Sequence, residues 1–558
     1  MENQSFIANI EQSIITHWDR PAFSNYKQEP ITYREVGERI ARLHILYKNC
    51  GIENGDHIAL CGRNCVEWAI AYFSILTYGA VAVPLLHEFK PQNVEHLVSH
   101  ADCKLLIVGD VVWEGINEDN LPKVNAVIQF QGFQLVYCKD DNYRKAFENI
   151  KTEFQKIYPH GFSKEDVKYY RENPEDLALI NYTSGTTSLS KGVMIPYRAI
   201  MGNFNFAGRV ITNLNEYSNS ICMLPMAHMY SMSYELIYEF IRGTHIHFLT
   251  RVPSPKIVAQ AFADIKPDII ISVPLIIEKI YKNKLKPILD KRLTQVLLKT
   301  PMIDKMLLKR IQTAMHLAFG EKFYEVIIGG AAMNKEVEAF FKKINFRYTI
   351  GYGMTECAPI ICYADWKETK LYSCGKPVKE MEVKIDSPDP EKIPGEILVK
   401  GQNVMLGYYK NEQATKEALI DGWLHTGDLG IMDKEGYLFI KGRIKNMILS
   451  SNGQNIYPEE IEDKINSMEY VNEALVVEQD GKITALVNLD YDKLDRDQIK
   501  RSQYSDILEQ IRQDSNKELP SYEQIAQIFL QPEEFERTPK RSIKRYMYSH
   551  RKENTKQN

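Results

Sequence analysis

Residues 57–86, HIALCGRNCVEWAIAYFSILTYGAVAVPLL, read as a strand, a helix and a second strand. HIALCG is a short apolar run with strand character. CVEWAIAYFSILTYG is long enough for a buried helix and stops at Gly79, and AVAVPLL restarts as a buried strand. The apolar run from Trp68 to Leu86 nearly reaches bilayer-spanning length, but Ser74, Gly79 and Pro84 break it, which favours the helix-plus-strand reading. The alternation continues outward. EVGERIARLHILYKNCG upstream has helical spacing and ends at Gly51, and CKLLIVGD downstream is another strand. DIIISVP and YEVIIGGAA are continuous apolar runs ending in turn residues, as expected of strands buried on both faces. This order predicts an α/β fold of parallel sheets covered by helices. After Gly375 the texture changes: MEVKI, GEILVKG and GYLFIKG are short alternating strands, predicting a smaller antiparallel unit. Beyond the basic turn Gly442–Asn446, EEIEDKINS, ALVVEQ and KITALVNL predict a compact α+β unit, with a boundary near Lys445.

The chain has 558 residues, enough for three or four units at roughly 100–200 residues each. Hydrophobic residues at 44% and charged residues at 25% exclude wholesale disorder and collagen-like structure. Lys and Arg number 69 against 73 Asp and Glu, a net charge of −4, so no global field holds nucleic acid. The nine Cys form no CxxC pair or Cys/His cluster, which argues against a disulfide framework or structural zinc and fits a reducing cytoplasm. MENQSFIANIEQSII carries acids where an export signal would be basic, so none is expected. No internal repeat is visible, and the tail HRKENTKQN is expected to fray. Residues 282–310 hold nine Lys or Arg against two Asp, interleaved with Leu, Ile and Met. Two readings fit: a solvated helical hairpin, or a basic amphipathic surface for a membrane or an acidic ligand.

The strongest local signal is Tyr182-Thr-Ser-Gly-Thr-Thr-Ser-Leu-Ser-Lys191-Gly192. Small hydroxyl residues around a Gly let backbone N–H groups wrap phosphate oxygens, and Lys191 adds positive charge. It is not a Walker A loop, which needs Gly just before the Lys and Ser or Thr just after it. Gly351-Tyr-Gly-Met-Thr-Glu356 combines flexible Gly, an aromatic face, a hydroxyl and a carboxylate suited to Mg²⁺ beside a polyphosphate. Asp428, within DGWLHTGDLG, sits between turn-forming residues and could accept hydrogen bonds from two ribose hydroxyls. KGRIK (441–445) and NGQNIYPEEIE (452–462) follow.

These segments, in this order and spacing from about Ile31 to Arg545, resemble the adenylate-forming (AMP-binding) enzyme superfamily. Within it the chain looks most like the long-chain fatty acyl-CoA ligases, on DGWLHTGDLG, the Gly-Arg-x-Lys turn, NGQNIYPEEIE, LPMAHMYSMSYE (224–235) and the long basic insert between Val273 and Gly329. The resemblance implies a large N-terminal adenylation domain over 1–442, a hinge at 443–446 and a small, mobile α+β C-terminal domain over 447–558. It implies two half-reactions, with ATP, Mg²⁺ and CoA: a carboxylate attacks the α-phosphorus to give acyl-AMP, then the CoA thiol takes the acyl group.

On the same basis, Thr183, Ser184, Gly185, Thr186, Thr187 and Lys191 would hold the β- and γ-phosphates, and Glu356 with Thr183 the Mg²⁺. Gly330, Ala331 and Tyr352 would frame adenine, with Gly353, Met354 and Thr355 in the same nucleotide segment, and Asp428 and Arg443 would hold ribose. His228 matches the residue near the substrate carboxylate and the pantetheine tunnel. Ser451, Asn452 and Gly453 would approach the CoA arm after rotation about Lys445. Candidates for an apolar acyl tunnel are Met226, Met229, Tyr230, Met232, Tyr234, Val273, Leu275 and Ile276.

Two departures stand out. Ser188 and Ser190 replace the Gly and frequent Pro of the family's phosphate loop. In TPKRSIKR (538–545), Ser542 occupies the position of the C-terminal adenylation lysine if Ile543-x-Arg545 sets the register, while Lys544 or Lys540 takes that role in other registers. A fatty acid:CoA ligase is therefore the leading expectation. An enzyme loading a carrier-protein phosphopantetheine and a degenerate nucleotide or acyl-adenylate binding protein remain open. The expected setting is cytoplasmic, with peripheral membrane contact and a homodimer both left open.

Overall fold

The computed structural model describes residues 5–183, 190–251, 253–289, 291–298, 300, 303–449, 455–538 and 543–549. The deciding stretch folds as expected. Strands His57–Cys61 and Val81–Leu85 run parallel, joined by the helix Val66–Tyr78. All of that helix except Glu67 and Tyr78 is buried, so it is an internal element, not a membrane span. Gly79 ends it at φ +88, where a Cβ would meet Tyr170 and Asn54 at 3.0–3.1 Å.

The two strands are central in an eight-stranded sheet. Its order is Gly407–Tyr408, Lys191–Pro196, Leu177–Thr183, Val81–Leu85, His57–Cys61, Leu105–Val108, Ala126–Gln129 and Gln134–Cys138. The middle five strands, Leu177–Thr183 through Ala126–Gln129, are parallel and the outer pairings are antiparallel. A four-stranded sheet contains Asn219–Cys222 and His245–Phe248, and a three-stranded parallel sheet contains Ile270–Ser272, Val326–Ile328 and Tyr348–Ile350. The predicted antiparallel unit is formed by Met381–Asp386, Gly395–Gly401, Trp423–Met432 and Leu438–Arg443. One continuous core runs from Phe6 to Leu438.

A separate core, including Ile461, Ile465, Val476, Val487, Leu494 and Ile511, belongs to an α+β unit. Its strands Val471–Gln479, Lys482–Leu489 and Gln527–Leu530 carry the helices Pro458–Asn466 and Tyr504–Glu518. The basic stretch is helical over Lys286–Leu289, Arg292–Leu298 and Ile303–Ala318, with Ile311 and Met315 turned inward. The nine cysteines are all free thiols. Among the described residues, no helix is long and apolar enough to cross a membrane, and no group of three or more His, Cys, Asp or Glu is placed to hold a metal.

Candidate active site

A cavity of about 2720 Å³ opens just past the carboxyl ends of the parallel strands. Thr183, Met223, Val273, Gly329 and Gly351 all line it, and each ends or directly follows one of those strands. This is where open α/β sheets bind ligands, because diverging strand ends leave a crevice. Gly330 adopts φ +86, and a Cβ on Gly353 would lie 2.3 Å from the Pro359 carbonyl oxygen, so only Gly fits there.

On one side the polar groups interlock. Thr183 and Lys191 pair across antiparallel strands, and the Thr183 hydroxyl donates to the Lys191 carbonyl at 3.4 Å. The Lys191 ammonium sits 4.5 Å from the Tyr408 ring centroid. The Tyr408 hydroxyl donates to Glu356 Oε1 at 2.9 Å, and the Glu356 carbonyl accepts the Met405 N–H at 2.8 Å. Nearby, the Tyr352 hydroxyl donates to Asp428 Oδ2 at 2.7 Å, while Arg443 Nε approaches Asp428 Oδ1 at 3.0 Å across the paired strands. Burial pushes the Asp428 carboxyl above its ordinary range, and the Arg443 charge opposes that shift. An ionised carboxylate offers about four lone-pair sites, so two remain for further donors.

The remaining nucleotide candidates, Gly330, Ala331, Gly353, Met354 and Thr355, also line the cavity. His228 lies on the wall at the start of a short helix, and its backbone N–H donates to the Pro225 carbonyl at 2.9 Å. Met229, Tyr230, Tyr234, Val273, Leu275 and Ile276 continue the wall on an apolar side. The Tyr230 hydroxyl donates to the Ile327 carbonyl at 3.1 Å, which leaves its ring to the cavity. Met226 and Met232 are not on this wall. At 1% and 0% exposure they pack into the core, because the loop and helix that carry them turn those side chains away.

Lys544 also lies off the wall. It pairs with Glu536 at 3.6 Å, while the adjacent Arg545 faces the cavity, with Nη2 2.5 Å from Glu462 and Nη1 donating to the Val476 carbonyl at 2.9 Å. Lys445 is exposed in a single turn of 3₁₀ helix, Ile444–Asn446, at the rim. Ser184, Gly185, Thr186, Thr187, Ser451, Asn452, Gly453, Lys540 and Ser542 lie outside the described residues.

Thr183 and Glu356 present only oxygen donors, and Tyr408 engages Oε1 of Glu356, leaving Oε2. Such a set suits Mg²⁺, which completes its shell with phosphate and water rather than a protein cage. Sequence reasoning missed Tyr408. It lies 52 residues from Glu356, and nothing in Gly407-Tyr408-Tyr409 signals that its hydroxyl orients the Glu356 carboxylate. The buried Asn181 and Glu235 behind the His228 wall, and the buried Asn64 on it, were also missed.

Comparison with known proteins places this geometry. Residues 10–409 match the AMP-binding enzyme model, and residues 445–553 match the AMP-binding enzyme C-terminal domain. A long-chain-fatty-acid–CoA ligase of Escherichia coli O6:H1 is 28% identical over 497 residues, covering 85% of this chain and 83% of that ligase. Among solved structures, the anthranilate CoA ligase AuaEII in complex with anthranoyl-AMP superposes with a TM-score of 0.78 at 19% identity, covering 98% of this chain and 96% of that one. O-succinylbenzoate coenzyme A synthetase from Bacillus subtilis, in complex with ATP and magnesium ion, gives 0.73 at 21% identity, covering 96% and 98%. At those identities the two structures establish the fold. With most of its length matched, and with the cavity and motif residues arranged as described, the chain belongs to the AMP-binding enzyme family.

Proposed function

We propose that this chain is an ATP-dependent fatty acid:CoA ligase working through acyl-AMP. The observation that carries the proposal is the single cavity whose polar side holds Thr183, Lys191, Glu356, Asp428 and Arg443 and whose other side is apolar around Met229, Tyr230, Val273 and Leu275. The E. coli relative, named a long-chain-fatty-acid–CoA ligase, supports the choice of substrate class.

In the first step the fatty carboxylate oxygen attacks the α-phosphorus, and the bond to the β-phosphate oxygen breaks as pyrophosphate leaves. Two anions must meet, so placement and charge neutralisation supply most of the catalysis. Lys191 bears on the phosphate oxygens, and Asp428 with Arg443 fixes the ribose. Mg²⁺, held by Glu356 and Thr183, would screen charge on the phosphates. Tyr408 holds the Glu356 carboxylate in one orientation. His228 borders the carbonyl of the adenylate. In the second step the CoA sulfur attacks that carbonyl, the bond to AMP oxygen breaks, and the thiol proton passes to solvent.

The division into residues 1–442, a hinge at 443–446 and residues 447–558 belongs to this reading, with Lys445 as pivot. Support comes from the polar contacts that join the helix Pro458–Asn466 to the rim: Lys441–Glu460 at 2.9 Å, Asn446–Glu459 at 2.6 Å and Lys335–Asp463 at 3.1 Å. Part-exposed ion pairs are worth about 0–1 kcal/mol each, so they can exchange during rotation. Peripheral contact with an anionic membrane is the finer part of the proposal. It rests on Lys305, Lys309 and Arg310 beside the exposed Met306 and Leu317 on the helix Ile303–Ala318.

The test supplies ATP, Mg²⁺ and CoA with a graded series of fatty acids and measures acyl-CoA. Thioester formation that rises with chain length supports the reading. Pyrophosphate release without thioester on free CoA would instead favour a carrier-protein acceptor.

A further inference from the structure

The segment Met223–His228 joins the strand Asn219–Cys222 to the helix that starts at Met229, and Met223, Leu224, Pro225 and His228 line the cavity. It is a loop, yet Met223, Leu224, Met226 and Ala227 are buried. A buried loop has no water for its backbone groups, so the protein must supply their partners. Here three buried polar side chains do so. Glu235 accepts the Met223 N–H at Oε1 and the Leu224 N–H at Oε2, both at 3.2 Å, and the Ser231 hydroxyl reaches Oε2 at 2.5 Å. Asn64 accepts the Met226 N–H at 2.9 Å and donates to the Leu224 carbonyl at 2.7 Å. Asn181 donates to the Ala227 carbonyl at 2.8 Å.

These groups come from three separate elements: the π-helical stretch Met232–Tyr238, the loop after His57–Cys61, and the strand that ends at Thr183. Glu235 and Asn181 are 0% and 1% exposed. Burying a carboxylate and two amides is unfavourable unless each is matched, and apolar residues would fill the same space at less cost. What the polar set supplies is position: it determines the backbone of 223–227 from three sides and delivers His228 to the wall at a set place. Asn181 also lies two residues before Thr183 on one strand, so the same clamp ties the His228 loop to the phosphate side of the cavity.

We infer that Glu235, off the cavity wall, and Asn64, on the wall but with its amide engaged by the Leu224 carbonyl and the Met226 N–H, are positioning residues for His228, acting through the backbone of Met223–Ala227. The inference rests on the role given to His228 above. A displacement of about 1 Å at a reacting group can cost about a hundredfold in rate, so a loosened loop registers as lost turnover.

The experiment is a double-mutant cycle on the full chain, with carboxylate-dependent pyrophosphate release as the rate and ATP affinity and thermal midpoint read alongside. Glu235→Gln and Asn64→Ala are each combined with His228→Ala. In the parent, each single clamp variant is expected to lower kcat about tenfold or more while KM for ATP moves less than about twofold. In the His228→Ala background the same changes are expected to cost less than about threefold, because the residue they position is gone. Asn64→Ala leaves Glu235 in place, so it carries the test if Glu235→Gln does not fold. Equal losses in both backgrounds would overturn the inference while leaving the reading of His228 intact. Losses that appear in ATP affinity as strongly as in kcat would also overturn it. Unchanged turnover in His228→Ala alone would remove the role of His228, and the inference with it.

Discussion

Replacing Tyr408 by Phe removes one oxygen from the polar side of the cavity and leaves the ring. The lost hydroxyl donates to Glu356 Oε1 at 2.9 Å, and both residues are 8% exposed, so bulk water does not fully replace it. A hydrogen bond to a charged group contributes about 1.5–3 kcal/mol. At about 1.4 kcal/mol per factor of ten, the lower figure corresponds to slightly more than tenfold. That loss falls on the orientation of the carboxylate proposed to hold Mg²⁺. The ring beneath Lys191, 4.5 Å from its ammonium, is retained, so the phosphate-side charge stays where it was. The Mg²⁺ concentration giving half-maximal ATP binding is therefore expected to rise about tenfold in Tyr408→Phe, while ATP binding in excess EDTA stays within about twofold of the parent. Isothermal titration calorimetry with and without Mg²⁺ reads both quantities without turnover. The reasoning is refuted if Mg²⁺ dependence is unchanged, or if metal-free ATP binding weakens as much as metal-dependent binding.

Other outcomes follow from named contacts. Asp428→Asn removes the charge that pairs with Arg443 and weakens the acceptor offered to ribose, so KM for ATP is expected to rise about tenfold or more. The thermal midpoint should shift little, because the Arg443 side chain is 62% exposed and stays solvated; a stability loss as large as the affinity loss would contradict this. Burial pushes Glu235 up to about 8, against only partial opposition from Ser231, the Met223 and Leu224 N–H groups and Cys222. A carboxyl raised on folding stabilises fully below its unfolded value and loses that contribution as pH rises through the folded value, so Glu235→Gln should gain on the parent from about pH 4.5 up to about pH 8, by at most about 1.4 kcal/mol per pH unit. Denaturant midpoints that stay parallel across that range would exclude it. Lys540→Ala and Lys544→Ala, compared for pyrophosphate release, separate the registers of TPKRSIKR. Because Lys544 pairs with Glu536 off the cavity wall, adenylation is expected to fall at least tenfold in Lys540→Ala and less than threefold in Lys544→Ala, at the level of one lost charge contact. The reverse order would require Lys544 to swing inward.

The βαβ frame was legible because its signals are local. An apolar helix closed by Gly79 and flanked by two apolar strands admits few arrangements, and these residues adopt the expected one. The antiparallel unit after Gly375 was legible for the same reason, from period-two alternation between turn residues. The polar side of the cavity was legible as separate motifs, and Thr183, Tyr352, Glu356, Asp428 and Arg443 all line that cavity. What could not be read were pairings across long separations. Tyr408 reaches Glu356 across 52 residues and Asn64 reaches Met226 across 162, and neither has a periodicity or spacing that announces its partner. Met226 and Met232 show the converse. Methionine suits a tunnel wall as well as a core, and only the folded course of the loop carrying Met226 and of the π-helical stretch carrying Met232 decides which face each occupies.

The central claim is that this cavity joins a fatty acid to AMP. The most direct measurement is exchange of labelled pyrophosphate into ATP by the purified chain with Mg²⁺, in the absence of CoA, with and without a long-chain fatty acid. The account predicts exchange that depends on the fatty acid and falls sharply in Asp428→Asn and Tyr408→Phe. Exchange absent with every fatty acid tested, in protein that still binds ATP, would contradict it.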